Sequence, residues 1–243
     1  MLSVNPADDQ AAMAFVKVAG LNKSFVVGSQ RIHVLRDLDL QVAKGEMLAI
    51  VGASGVGKST LLHLLGALDR SDAGSVYVAD REITAMSDSA VVEFRNRHVG
   101  FVFQFHHLLR EFSALENVMM PLLIGGMAPR QAQSRAEEVL SEVGLAGRMT
   151  HRPAELSGGE QQRCAVARAL VHDPSVVLAD EPSGNLDHAN SERLHELFFR
   201  LAREYETAVV VVTHNRQLAG RADRILWLED GRLTTVTSVD AIP

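Results

Sequence analysis

Short apolar runs rich in β-branched residues recur along the chain and do not alternate with polar residues. Five of them stand out: Met47–Val51, Val99–Phe103, Val176–Ala179, Val209–Val212 and Ile225–Leu228. Strands that are buried on both faces of a parallel sheet have this composition. We therefore predict an α/β fold in which helices cover both sides of a parallel sheet.

The segments between these runs carry helix start and stop signals. Pro129 opens a stretch that stops at Gly144, as expected for proline in the first turn and glycine just past the last one. Ser113 and Glu116 have the spacing of a capping box. Because residues 105–156 are also poor in strand signals, we predict an inserted helical subdomain there.

The first part of the chain has a different pattern. From Ala14 to Val42, and again from Ser75 to Ile83, short β-like runs are separated by turn residues at Gly28-Ser29 and at Asp72–Gly74. We expect a small antiparallel β layer beside the parallel core.

Composition excludes several classes of protein. The 243 residues include 24 Lys+Arg and 30 Asp+Glu, a net charge of −6, which argues against binding nucleic acid through bulk positive charge. A single cysteine, Cys164, excludes an internal disulfide framework and suits a reducing compartment. No apolar run approaches the ~18–20 residues that span a bilayer, and Met1–Gln10 lacks signal-peptide features, so we expect a cytosolic chain.

Residues 52–60 match the phosphate-binding pattern G-x-x-x-x-G-K-[ST]. The match follows an apolar run and precedes a helical one, which is the context that the pattern requires. Glycines let backbone N–H groups point at phosphate oxygens; Lys58 would neutralise the β- and γ-phosphates, and Ser59 would ligate Mg²⁺. The predicted nucleotide-binding residues are Gly52, Ala53, Ser54, Gly55, Val56, Gly57, Lys58, Ser59 and Thr60.

Polar residues follow three other predicted strands at the same sheet edge, where ligands bind in open α/β sheets. Asp180 is expected to hold Mg²⁺ through water, and Glu181 to polarise an attacking water. His214 is expected to contact a γ-phosphate, and Gln104 to contact Mg²⁺ or the water. Alternatives for these residues are an acidic helix start at Asp180-Glu181 and a structural histidine at His214, and the nearby phosphate-binding pattern disfavours both.

A second anion-binding helix start is predicted at Leu156–Arg163, which reads Leu-Ser-Gly-Gly-Glu-Gln-Gln-Arg. Ser157 and Glu160 form a capping box, and two glycines leave the backbone N–H groups accessible. A head-to-tail pair of chains would let Ser157 of each chain close over the phosphate loop of the other.

These motifs, in this order, resemble those of the ATP-binding cassette (ABC) ATPases, and the resemblance extends from about Val16 to Leu233. It implies a P-loop, RecA-like core with an antiparallel β subdomain and an inserted helical subdomain. It also implies a nucleotide-sandwich homodimer with bound ATP and Mg²⁺, in which Phe25 stacks on adenine. The residues implied to act across the dimer are Ser157, Gly158, Gly159 and Asp187.

The resemblance implies further organisation of the chain. We expect an N-terminal tail over 1–14, the nucleotide-binding core over 15–104 and 160–243, and the helical subdomain over 105–159, ending in the Leu-Ser-Gly-Gly-Glu motif. It also implies two integral-membrane permease subunits as partners, no nucleic acid, and a location on the cytoplasmic face of the bacterial inner membrane.

Within the family, residues 103–125 are similar to the ATPases of lipoprotein-releasing transporters of Gram-negative bacteria, with Arg110 where proline is expected. An exporter of macrolides or peptides and a cell-division ATPase of the FtsE type remain alternatives. The apolar run Met119–Ile124 suits either helix core or an interface with the permease. His106-His107 has no third metal ligand at useful spacing.

Overall fold

A computed structural model describes residues 14–242. The tail predicted over residues 1–14 lies outside the described residues except for Ala14, which begins the first strand. The strands are β1 Ala14–Val27, β2 Gln30–Ala43, β3 Met47–Val51, β4 Ala73–Val78, β5 Arg81–Glu82, β6 Val99–Phe103, β7 Val176–Asp180, β8 Ala208–Val212, β9 Arg224–Glu229 and β10 Arg232–Val236. The α-helices are α1 Lys58–Leu65, α2 Asp88–His98, α3 Ala114–Ile124, α4 Pro129–Glu142, α5 Gly158–Leu170, α6 His188–Tyr205 and α7 Arg216–Ala219.

The six-stranded sheet has the order β10-β9-β3-β8-β7-β6. Strands β9, β3, β8, β7 and β6 are parallel, which confirms the predicted parallel sheet, and β10 adds an antiparallel edge that the sequence analysis missed. Asp180 is in register with Phe103 on one side and with Val212 on the other. The residues that follow these three strands therefore meet at one edge.

The antiparallel layer is confirmed as a four-stranded sheet of order β2-β1-β4-β5. Its first two strands are each 14 residues long and bulged, rather than the series of short runs that we expected. The turn predicted at Asp72–Gly74 is wrong, because β4 begins at Ala73. Gly74 has φ +88°, and a methyl group there would lie 2.3 Å from the Gly20 carbonyl oxygen, so close strand contact requires glycine.

The two faces of the parallel sheet belong to two hydrophobic cores. Ile50 and Val210 face the antiparallel sheet and α1, whereas Val177 and Val209 face α3 to α6. Because strand side chains alternate between the two faces, a continuous apolar run contributes apolar side chains to both cores. All regular elements within residues 105–157 are helical. Among residues 14–242, no helix has both the length and the apolarity to span a membrane.

Candidate active site

A pocket of about 320 Å³ opens at the carboxyl edge of the parallel sheet. It collects residues that are remote in the sequence: the phosphate loop, the end of β6 and the end of β7 all contribute. Its lining is Ser54, Gly55, Lys58, Ser59, Phe103, Gln104, Phe105, His107, Asp180 and Glu181. Four predicted site residues from three separate motifs, Lys58, Gln104, Asp180 and Glu181, are thus brought together.

The phosphate loop has a shape that only glycine permits at its two ends. Gly57 has φ +112°, and a methyl group there would lie 2.4 Å from Val34 Cγ1. At Gly52 a methyl group would lie 2.5 Å from the Leu228 carbonyl oxygen. The loop leads directly into α1, whose first N–H groups have no partner within the helix. This arrangement is suited to a tetrahedral anion.

Lys58 is almost fully buried and belongs to this loop. Its ammonium group donates to the carbonyl oxygens of Gly52 (2.8 Å) and Ala53 (2.9 Å). Ser59, the next residue, is exposed in the pocket. A lysine charge and a serine hydroxyl are therefore presented side by side at the start of α1.

Glu181 has a backbone conformation that is rare for its residue type, with φ +46°. Its N–H group donates to the Val212 carbonyl oxygen at 2.9 Å. One carboxylate oxygen accepts from Thr213 Oγ1 (3.1 Å) and from the His214 N–H group (3.2 Å), and the other lies 2.8 Å from His214 Nδ1. The carboxylate is thus held by the residues that follow β8.

Gln104 contacts the loop that precedes α6. Its side-chain amide donates to Asn185 Oδ1 at 3.4 Å, and the Asn185 amide donates back to the Gln104 carbonyl oxygen at 3.2 Å. The sequence analysis assigned Asn185 no role. The loop after β6 and the loop after β7 are therefore joined at the pocket.

Helix α5 holds the backbone on both sides of Gln104. Arg168 donates to the carbonyl oxygens of His106 (2.8 Å) and His107 (2.7 Å), and burial lowers the pKa of its guanidinium. Gln162, 1% exposed, donates to the Phe103 carbonyl oxygen at 3.3 Å. The sequence analysis missed both residues; their only signal was their position on the inward face of a helix.

The predicted capping box at the start of α5 is confirmed. Ser157 Oγ accepts from the Glu160 N–H group at 3.3 Å, and the Ser157 N–H and hydroxyl groups donate to the Glu160 carboxylate at 2.9 and 2.8 Å. These bonds, together with Arg148 at 3.0 Å, lower the pKa of Glu160 to about 2. Gly158 is open, whereas Gly159 packs against Asn190.

Asp187 caps the start of α6 close to this point. Its carboxylate accepts from the N–H group and the side-chain amide of Asn190, at 2.9 and 2.8 Å. Asn190 therefore contacts both Asp187 and Gly159. Residues 157–159 and Asp187 do not line the pocket around Lys58 within the chain itself.

Phe25 also lies outside the lining of the pocket. It is 40% exposed on β1, paired with Ile32 of β2, and the Lys23 ammonium lies 5.0 Å from its ring centroid. Val34 of the same hairpin contacts Gly57. The hairpin that carries Phe25 therefore adjoins the phosphate loop.

Cys164, the single cysteine of the chain, is fully buried in α5. Burial raises the pKa of its thiol to about 12. The thiol is therefore protonated at neutral pH, and Cys164 is a small core residue rather than a nucleophile.

Comparisons with known proteins agree with this geometry. Residues 35–184 match the family model described as "ABC transporter". The chain therefore belongs to the ABC transporter family, and it is the ATP-hydrolysing kind of subunit. Its fold resembles that of the ATP-binding cassette MJ0796, solved as a dimer in a post-hydrolysis state bound to ADP and Pi. That likeness has a TM-score of 0.83 and 37% identity, over 90% of this chain and 96% of that one.

Two curated relatives within the family share more than half of their aligned residues with this chain. The lipoprotein-releasing system ATP-binding protein LolD of Geobacter metallireducens is 53% identical over 220 residues, which are 90% of this chain and 98% of that protein. LolD of Xanthomonas campestris pv. campestris is 53% identical over 233 residues, 96% of this chain and 97% of that protein.

Proposed function

We propose that the chain powers the release of lipoproteins from the inner membrane toward the outer membrane in a Gram-negative bacterium. The observation that carries this proposal is the 53% identity to LolD proteins over nearly their whole length. The pocket residues support a working ATPase rather than an inactive nucleotide-binding module, because a lysine, two carboxylates and a serine hydroxyl converge on a glycine-rich anion cradle.

In this proposal the phosphate loop binds the triphosphate of ATP through its N–H groups and Lys58. Ser59, Gln104 and Asp180, the last through water, would hold Mg²⁺, which prefers such oxygen donors. The ion supplies positive charge that offsets the charge on the phosphate oxygens. The loop over Gly52–Thr60 fits this role, since methyl groups at Gly52 and Gly57 would collide with the Leu228 carbonyl oxygen and with Val34 and would change the shape of the loop.

Glu181 would orient the attacking water and accept its proton as the water oxygen bonds to the γ-phosphorus and ADP leaves. The contacts from Thr213 and His214 hold the carboxylate in one position, so that little reorganisation is needed at the moment of attack. His214 is 73% exposed, which leaves its ring accessible to a γ-phosphate.

Two chains would sandwich two nucleotides. Ser157, Gly158 and Gly159 of the partner subunit would present the N-terminal N–H groups of α5 to the γ-phosphate, with Asp187 at the same contact. Phe25, exposed on the hairpin beside the phosphate loop, would stack on adenine. Residues 15–104 and 160–243 would then act as the nucleotide-binding core, and 105–159 as the helical subdomain.

Permease subunits would dock on the exposed apolar side chains after Gln104. These docking-surface residues are Phe105, Leu109, Phe112, Leu123 and Ile124, with exposures from 37% to 69%. Leu122 is fully buried in the same run, so residues 119–124 serve the core and the surface together. We infer two integral-membrane partners similar to LolC and LolE, which would keep the chain on the cytoplasmic face of the inner membrane.

Co-purification tests the proposal. Tagged Glu181→Gln chain is isolated with ATP from detergent-solubilised membranes, and its partners are identified by mass spectrometry. We expect a two-subunit permease with bound lipoproteins. Ile124→Glu should lose the permease, whereas Tyr205→Glu, a change at an exposed residue of α6, should retain it. Recovery of a macrolide or peptide exporter, or of a cell-division protein, would contradict the proposal.

A further inference from the structure

A histidine is buried beneath the turn that carries Glu181. His195, on α6, has no exposed surface, and its Nε2 lies 3.1 Å from the hydroxyl of Ser183, which is 4% exposed. The charged residues on the other side of this helix are all exposed: Arg193, Glu196, Arg200, Arg203 and Glu204. His195 lies on the opposite face, and no step of the proposed hydrolysis uses it.

The surroundings of the ring indicate which of its nitrogens carries the proton. Nδ1 lies 3.6 Å from the Glu192 carboxylate, which also bonds Arg221. Burial lowers the pKa of His195, so the ring is neutral at physiological pH. A neutral ring has one donor and one acceptor nitrogen. Because a carboxylate faces Nδ1, we assign the proton to Nδ1, and Nε2 then accepts from the Ser183 hydroxyl.

Ser183 belongs to a turn that begins in a strained conformation. The left-handed backbone of Glu181, at φ +46°, is unfavourable for a residue with a side chain. Such a conformation persists only where its surroundings hold it. Val212, Thr213 and His214 hold the side that faces β8.

The other side of the turn depends on Ser183. Its carbonyl oxygen accepts from the Leu186 N–H group at 3.1 Å, and the Glu181 carbonyl oxygen accepts from Gly184 at 3.1 Å. The His195–Ser183 hydrogen bond fixes this folded segment to α6, two residues beyond Glu181. Asp187 follows at the end of the same turn.

We propose that His195 is a positioning residue for ATP hydrolysis: through the Ser183 hydroxyl it holds the turn from Glu181 to Asp187 in the conformation that hydrolysis requires. The inference rests on the role proposed above for Glu181. It assigns a function to the buried pair of His195 and Ser183. An apolar side chain could fill the same volume but could not make the hydrogen bond.

The test compares kcat and KM for ATP in the purified full-length chain. His195→Phe fills the site without an acceptor, and Ser183→Ala removes a single oxygen. We expect each to lower kcat on the order of tenfold, since misplacement of a catalytic group is costly, with KM for ATP unchanged. The double variant should be no slower than the slower single one, because both remove the same bond. His195→Gln, whose amide reaches the position of Nε2, should restore most of the rate.

Two controls distinguish failure of the role proposed for His195 from failure of the role proposed for Glu181. Arg200→Gln, an exposed change on α6, should leave both constants unaltered. Glu181→Gln in the same series should lower kcat at least about 10²-fold, and if it keeps substantial hydrolysis, the role of Glu181 and this inference are both wrong. If Glu181→Gln loses kcat to this extent but Ser183→Ala keeps the wild-type kcat, or the two single effects multiply, the role of His195 alone is overturned. Ser183→Ala keeps the test decisive even where His195→Phe does not fold.

Discussion

Gly159, at the start of α5, packs directly on Asn190, in the first turn of α6: a methyl group on Gly159 would lie 2.5 Å from Asn190 Cγ. The Asn190 amide in turn bonds the Asp187 carboxylate at 2.8 Å. Two segments that the proposal assigns to the dimer contact are thus fixed to each other inside one chain. Each chain would present them to its partner as one rigid surface.

This contact predicts different effects for two adjacent glycines. Gly159→Ala must displace the Asn190 side chain, whereas Gly158→Ala meets nothing within 4 Å and serves as the matched control. We expect Gly159→Ala to have a free energy of unfolding about 1–3 kcal/mol below that of Gly158→Ala, the usual cost of overpacking. Urea unfolding measures the difference. Equal stability of the two variants would show that Asn190 moves freely.

The capping box predicts a pH dependence of stability. Hydrogen bonds from Ser157 and Arg148 lower the pKa of Glu160 from 4.5 to about 2 in the folded chain. Stability from this carboxylate is therefore complete above pH 4.5 and is lost as the pH falls toward 2. Glu160→Gln should be less stable than wild type at pH 5.5, and the gap should narrow at pH 3. If urea unfolding gives the same stability difference between wild type and Glu160→Gln at pH 5.5 and at pH 3, the lowered pKa of Glu160 is disproved.

Phe25 should contribute to nucleotide affinity. Phe25→Ala removes the ring and should weaken ATP binding by about 1–3 kcal/mol, the range for stacking on a base. Phe25→Tyr should retain the affinity. Val26→Ala alters the next residue, which is 69% exposed and points to the other face of β1, and should have no effect. Calorimetric titration with ATP decides: unchanged affinity in Phe25→Ala means that adenine binds elsewhere.

Arg168 should hold the segment after Gln104. Arg168→Met removes the donor from the carbonyl oxygens of His106 and His107, and each lost hydrogen bond costs on the order of 1 kcal/mol. We expect faster amide hydrogen exchange across residues 103–109. Arg168→Lys keeps the charge but not the two-pronged contact and should give an intermediate rate. If amide hydrogen exchange in Arg168→Met stays at the wild-type rate, Arg168 does not hold this segment.

Glu181→Gln should separate ATP binding from hydrolysis. The amide keeps the shape of the side chain but accepts a proton poorly, so turnover should fall about 10²–10⁴-fold while ATP still binds. A nucleotide-bound dimer should accumulate and be visible by size-exclusion chromatography. Glu204→Gln, at an exposed residue of α6, is the control. Substantial hydrolysis by Glu181→Gln would remove this residue from its proposed role.

The central sheet was predictable because its strands are buried on both faces and are therefore continuously apolar. The edge strand β10 was missed because Arg232–Val236 mixes polar and apolar positions. A local signal for it existed. Asp230-Gly231 follows β9, both residues have positive φ, and this dipeptide is typical of a type I′ hairpin turn.

The meeting of Lys58, Gln104, Asp180 and Glu181 was also predictable, since parallel strands end at one edge. The contacts that hold these residues were not. Arg168 bonds backbone oxygens about 60 residues away along the chain, and His195 reaches Ser183 from another helix. Periodicity indicates that such side chains face inward, but their partners depend on how the segments pack.

The most direct test of the account is ATP-dependent lipoprotein release from proteoliposomes that contain the chain, its co-purified permease and a labelled lipoprotein. We predict that ATP releases the lipoprotein with the wild-type chain, and that Glu181→Gln releases none. Hydrolysis of ATP by the wild-type complex while the lipoprotein stays in the membrane would contradict the proposed function, and would leave the chain an ATPase of a different transport system.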